Sequence, residues 1–183
     1  MISKIESQSS ALLEVEALLK FENEMSSLDP VTHVVLKGHL ILEERLGRIL
    51  EAHLFHPEHT EDARLSFNDK MCLCRSLCLR KNRLGEWELI AAVNGLRNEL
   101  AHNLESTKRQ RKIDRVKEIY FREAAGLDLL NEIKARSDAE IIKSACGHCE
   151  GFLTSFERDA LAFRQLIHRL DRELNAGQEP FSL

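Results

Sequence analysis

Between Ser137 and Leu174 the chain has no proline, and apolar residues return at helical spacing at Ile141, Ala145, Cys149, Phe152, Phe156, Phe163, Ile167, Leu170 and Leu174. That spacing lines one face of an α-helix. Ser137-Asp-Ala-Glu140 has the form of a capping box, in which serine and glutamate side chains each satisfy a backbone N–H of the first turn. A helix over residues 138–175 would reach about 55 Å at ~1.5 Å per residue, unless Gly147 and Gly151 bend it.

The same period runs through the rest of the sequence. A first helix is expected from Ser9 to about Met25, with Leu12, Val15, Leu18 and Leu19 among its apolar positions. Asp29-Pro30 then supplies an N-cap and a first-turn proline for a second helix, whose apolar residues extend from Val34 to Leu54. The segment from Phe55 to Asp62 holds Pro57 and polar residues, so it predicts a loop between helices running antiparallel. Ser66-Phe-Asn-Asp69 resembles a capping box and opens a helix through Met71, Leu73, Leu77 and Leu79 that ends before Gly85. Residues 86–104 place Leu89, Val93, Leu96, Leu100 and Leu104 on one stripe. Ser106-Thr107 interrupts that helix, and Gly126 ends or bends the basic element that follows. With 3 Pro and 8 Gly among 183 residues, the reading is an all-α antiparallel bundle of five to seven helices forming one domain over 1–183.

Charge and cysteine content narrow the function classes. The formal net charge of −4, from 26 basic and 30 acidic residues, provides no global positive field, so any nucleic-acid contact must use a local patch. Five cysteines and no apolar leader after Met1 predict a reduced, cytoplasmic protein. No run approaches the roughly 18 consecutive apolar residues of a membrane span. Cys146-Gly-His-Cys149 has redox spacing but lies inside a predicted helix without a preceding strand, so structural cysteine is the better reading. Cys72, Cys74 and Cys78 lack partners at metal-ligand spacing, and His56-Pro-Glu-His59 reads as a solvated loop. No metal or cofactor is expected.

Leu96-Arg-Asn-Glu-Leu-Ala-His102 concentrates polar chemistry beside the leucine stripe. An Arg followed five residues later by His arises about once by chance in such a composition, and Arg48 to His53 repeats the spacing. Context separates the two, because Asn98 is polar where Ile49 is apolar, and Asn94, Arg97, Asn98, His102 and Glu105 all lie off the stripe. At about 100° per residue Asn98 and His102 are nearly in line, while Arg97 sits about 140° from His102. His102 suits proton transfer near neutral pH, and Arg97 suits a two-pronged grip on phosphate. Asn98 is placed to orient His102 or to bind phosphate. The segment with Lys108, Arg109, Arg111, Lys112 and Arg115 follows closely and is a candidate RNA contact, although Asp114 and Glu118 offer it helical partners.

The motif resembles the Arg, four to six residues, His signature of the HEPN superfamily, and Phe67 and Lys70 upstream are similar to residues preceding Arg-Asn-x-x-Ala-His in its mannitol-operon-repressor-like branch. The resemblance covers roughly Val31 to Glu105. It implies a metal-independent ribonuclease, a toxin or defence effector, with Arg97, Asn98 and His102 catalytic at a homodimer interface and an antitoxin protein as partner. The mannitol-operon-repressor-like likeness implies instead a non-catalytic regulatory or protein-interaction module. Direct DNA contact ranks below both, because no helix-turn-helix signal is present.

Overall fold

The structure, a computed structural model, describes residues 15–23, 29–78, 85–102, 107–126, 130–179 and 181, with the side chains of Glu61 and His102 outside that description. Its helices are α1 (residues 15–23), α2 (Pro30–His53), α3 (Glu58–Asp62), α4 (Phe67–Ser76), α5 (Gly85–His102), α6 (Arg109–Glu123), α7 (Leu130–Lys134) and α8 (Asp138–Leu174). Among the described residues, two of these eight helices are single short turns of five residues and six are longer. Among the described residues there is no strand, so the chain is all-α with a long C-terminal helix.

Side chains start three of these helices. The Asp29 carboxylate accepts from the N–H groups of Val31 at 3.3 Å and Thr32 at 3.2 Å. Ser66 Oγ accepts from the Asp69 N–H while Asp69 Oδ2 accepts from the Ser66 N–H, and Ser137 and Glu140 repeat the exchange at the start of α8. Each cap contributes about 0.5–2 kcal/mol. Gly126, at φ 107°, follows the last turn of α6 in a backbone region that costs glycine little. Helix α8 passes through Gly147 and Gly151 without interruption.

The most extensive contact joins α2 to α8. Val35, Leu42, Leu46 and Ile49 face Ile142, Ala145, Cys149 and Leu153 in a core that also takes Trp87, Ile90, Val93 and Leu96 from α5, and Val116 and Ile119 from α6. Gly38 marks a close approach, because a Cβ there would lie 2.7 Å from Cys146 Sγ. Beside it, Arg45 reaches both Glu150 and Glu157, and Arg48 Nη2 reaches Glu157 Oε1 at 2.8 Å. Glu157 is only 7% exposed, so its charge depends on those two guanidinium groups.

The pairings fix helix direction. Gly38 meets Cys146, Arg48 meets Glu157, and Leu54 O accepts from Arg164 Nη1 at 2.7 Å, so α2 and α8 run the same way. His39 stacks on Phe67, Lys70 pairs with Glu43, and Cys74 Sγ donates to Leu46 O, so α4 is also parallel to α2. The antiparallel arrangement expected for the helices flanking the Pro57 loop is therefore replaced by a parallel one. Thirteen residues between His53 and Phe67, including α3, are enough chain to return alongside α2 before α4 begins. Helix α5 supplies the reversed direction: Gly85 lies by Glu123 and Gly95 by Lys112 of α6.

Apolar periodicity misleads at the far end of α8. Its last buried residue is Ala160, and Phe163, Leu166, Leu170 and Leu174 are exposed although they continue the stripe.

Gly38→Ala tests the α2–α8 contact. Alanine normally stabilises a helix interior relative to glycine by roughly 0.5–1 kcal/mol. Here it should destabilise by about 1–3 kcal/mol through overpacking. In a Cys146→Ala background the cost should shrink or change sign, as measured by urea unfolding.

Candidate functional site

The polar side chains on α5 owe their positions to its two neighbours. Toward α2, Asn94 is half-buried and its Oδ1 lies 3.1 Å from His39 Nε2. His39 is 4% exposed and stacks on Phe67 with ring centroids 4.3 Å apart. Its Nδ1 faces Glu43 Oε2 at 3.9 Å, and Glu43 Oε1 accepts from Lys70 Nζ at 2.9 Å. A chain of polar contacts thus runs from α4 through α2 to α5. When His39 Nε2–H donates to Asn94, its Nδ1 lone pair is left toward Glu43.

Burial holds the His39 imidazole below its ordinary pKa and the nearby Arg97 charge adds to that, against the opposing hydrogen bond to Asn94 and the charge of Glu43. His39 therefore favours its neutral form. Arg97 is half-buried, and its Nη1 donates to Asn98 Oδ1 at 3.2 Å. No carboxylate pairs with Arg97 among the described residues, whereas Arg45, Arg48, Arg109, Arg115, Arg122 and Arg158 each pair with one. The structure brings Arg97 and Asn98 together. His102 closes α5, but its side chain lies outside the described residues, as do Asn103, Leu104 and Glu105.

The other flank of α5 meets the basic helix. Lys112 Nζ approaches Gly95 so closely that a Cβ there would touch it at 3.5 Å. Gly95 and the backbone of His102 are two turns apart and within about 20° around the helix, so Lys112 lies on the His102 side and His39 on the Arg97 side. Arg109 pairs with Asp29, Arg115 with Glu88 and Glu118, and Lys117 with Asp138, which leaves Arg111 and Lys112 without an ion pair among the described residues. The basic segment presents fewer free cations than its sequence promises. Neither Arg97 nor Asn98 lines the 610 Å³ cavity between α4, α5 and α6 or the 430 Å³ groove between α2 and α8.

The sequence places Asn94 with the polar residues off the leucine stripe and draws no attention to His39. The missed signal is register: His39 falls between Val35 and Leu42 on the buried stripe of α2, where a leucine would be ordinary. Phe67 and Lys70, singled out by resemblance, both pack against that stretch of α2. The cysteines at 74, 146 and 149 are buried, and burial pushes the Cys74 thiol up to about 12 and that of Cys146 to about 11. Such thiols are inert near neutral pH. No group of three or more side chains suited to a metal ion occurs among the described residues, and no described helix is long and apolar enough to cross a membrane.

The lowered pKa of His39 has a defined consequence. The unfolded chain binds the proton more readily than the folded one, so stability is full above about pH 6.5 and falls as pH drops through the lowered folded value. Wild type should lose more stability than His39→Phe between pH 7.5 and pH 5.5 in parallel urea titrations; equal losses would contradict the buried neutral imidazole. In comparisons with known proteins, no family model, curated protein or solved structure matches this chain at significance.

Proposed function

We propose that the chain is a metal-independent RNA endonuclease of the HEPN type, acting in the cytoplasm as a homodimer, with Arg97, Asn98 and His102 at the reacting phosphate. The observation that carries this reading is the state of Arg97, a guanidinium held beside Asn98 with no described carboxylate to neutralise it. An uncompensated guanidinium can offer paired N–H donors to a phosphate. His102 would take the proton from the ribose 2′-hydroxyl as that oxygen attacks phosphorus. The proton gained by His102 would then pass to the leaving 5′-oxygen as its bond to phosphorus breaks, which leaves a 2′,3′-cyclic phosphate. Arg97 would stabilise the charge that builds on the non-bridging oxygens. Among the basic residues after the motif, Arg111 and Lys112 are those best available to the RNA backbone, while Arg109, Arg115 and Lys108 are secondary. A toxin or defence role, restrained by an antitoxin protein, fits this chemistry.

A specific observation favours a second reading. Phe67 and Lys70, which carry the likeness to the mannitol-operon-repressor-like branch, are occupied by His39 and Glu43 in fastening α4 to α2. A bundle whose polar network serves packing is what a non-catalytic regulatory or protein-interaction module requires.

Purified wild type, Arg97→Ala and His102→Ala incubated with total RNA in chelator separate the readings. Wild type should release fragments ending in 2′,3′-cyclic or 3′-phosphate, with His102→Ala slower by roughly 10²–10⁴-fold and Arg97→Ala by about 10²–10³-fold. Intact RNA at high excess of wild-type protein would contradict the ribonuclease and leave the interaction module.

A further inference from the structure

The seam on which α2 and α8 meet is open along its outer side. A 430 Å³ groove runs there, lined by Val34, Gly38 and Ile41 of α2 and by Cys146 and Gly147 of α8, and its volume is within the about 300–1,000 Å³ of small-molecule sites. Its floor is apolar. Ile41 is 45% exposed, and burial pushes the Cys146 thiol up to about 11, so it is uncharged at neutral pH. Gly147 keeps one wall low, because a Cβ at that position would meet nothing within 4 Å. Glycine weakens a helix interior, and packing supplies no reason for it at this place.

Positive charge is gathered at one end of that groove. Because α2 and α8 are parallel with Gly38 opposite Cys146, the lining residues Lys37 and Lys143 lie about 3 Å apart along the helix axes at ~1.5 Å per residue. Helical side chains lean toward the N-terminus, which directs both lysines toward His33 and the end where Pro30 and Asp138 begin their helices. Neither lysine has an ion pair among the described residues. The nearby carboxylates are engaged: Asp29 pairs with Arg109, Asp138 pairs with Lys117, and Glu140, which feels the Lys143 charge, accepts from Ser137 Oγ in the cap. Two helix dipoles add their positive ends to the same place. At the opposite end Glu150 accepts from Arg45 Nε at 2.9 Å, and its other oxygen is shielded from solvent. From His33 to Ile41, about 12 Å along α2, the groove thus passes from a cationic mouth to an apolar floor.

We propose that this groove binds a small amphiphile of the medium-chain carboxylate class, its head group between Lys37 and Lys143 and its aliphatic tail along Val34, Ile41 and Cys146. The two ammonium groups select the sign of the ligand, and the apolar floor selects its body. Size selects a small molecule over a partner helix, which is about 10–12 Å across with its side chains. The exposed Leu36 and Leu40 that such a helix would need lie about 100° or more around α2 from Ile41 and do not line the groove. The inference uses the α2–α8 seam alone and is independent of any chemistry at Arg97.

Equilibrium dialysis of the full chain against radiolabelled octanoate tests it, with unlabelled octanoate and octyltrimethylammonium as competitors. The variants are Lys37→Gln/Lys143→Gln and Gly147→Trp. All three positions are exposed, so helical circular dichroism should match wild type and show that each variant is folded. Wild type should take up octanoate at a single saturable site, and octyltrimethylammonium, with the same tail and the opposite charge, should compete at least about tenfold less well. Loss of both lysine charges should weaken octanoate binding by roughly tenfold or more, and the indole ring of Gly147→Trp should abolish it by filling the groove. Absence of saturable octanoate uptake by wild type would overturn the proposal. So would equal competition by the two amphiphiles, which would reduce the groove to an apolar patch without a head-group site. Unchanged octanoate binding by Gly147→Trp would overturn it as well, by placing the ligand elsewhere on the molecule. None of these outcomes alters the end groups by which RNA cleavage is judged.

Discussion

Glu157, buried on α8 between Arg45 and Arg48 of α2, sets the register on which the other helices depend. A slide of one turn in either direction would carry the buried Glu157 carboxylate away from at least one of its two guanidinium partners, at a cost of up to several kcal/mol. It would also move Cys146 off Gly38, the position that lets the two backbones approach so closely. One charged cluster and one glycine thus hold two parallel helices at a single offset. With those axes fixed, α5 packs against both and α6 closes over α5.

The candidate site inherits its geometry from that frame. Because α2 presents His39 where the core would ordinarily take a leucine, α5 must offer a polar partner, and Asn94 supplies it. Phe67 covers the imidazole from α4, while Glu43 links it to Lys70. Arg97, one turn beyond Asn94, comes near enough to disfavour protonation of His39 yet keeps its own charge unpaired among the described residues. His39 is buried, so the positive character here is that of the half-buried Arg97 guanidinium beside Asn98. Lys112 extends that character along the opposite flank of α5.

Much of the helix layout is legible in sequence because caps and breakers act locally. Asp29-Pro30, Ser66 with Asp69, and Ser137 with Glu140 open helices where their side chains predict, and Gly126 follows the end of α6. Direction is not local. Loop composition at Pro57 says that a helix stops, but whether the chain reverses or returns depends on where Phe67 finds its partner, and that partner is His39. Periodicity also cannot tell a core stripe from an exposed one, so Phe163 to Leu174 look the same in sequence as Ile141 to Leu153 and differ only in what lies opposite. At the motif, helix geometry sets Arg97 apart from His102, whose side chain lies outside the described residues, while the inward turn of Asn94 depends on a histidine more than fifty residues earlier.

Under the proposed function Arg97 is an uncompensated anion-binding group, and its binding can be separated from cleavage. Fluorescence anisotropy with a fully 2′-O-methylated RNA oligonucleotide, which lacks the attacking hydroxyl, should show wild-type binding that weakens as salt rises. Arg97→Ala should bind roughly tenfold or more weakly, in line with the loss of a charge-assisted contact worth about 1.5–3 kcal/mol. Equal affinity for wild type and Arg97→Ala at low salt would contradict the claim and identify Arg97 as part of the scaffold that carries Asn94 and His39.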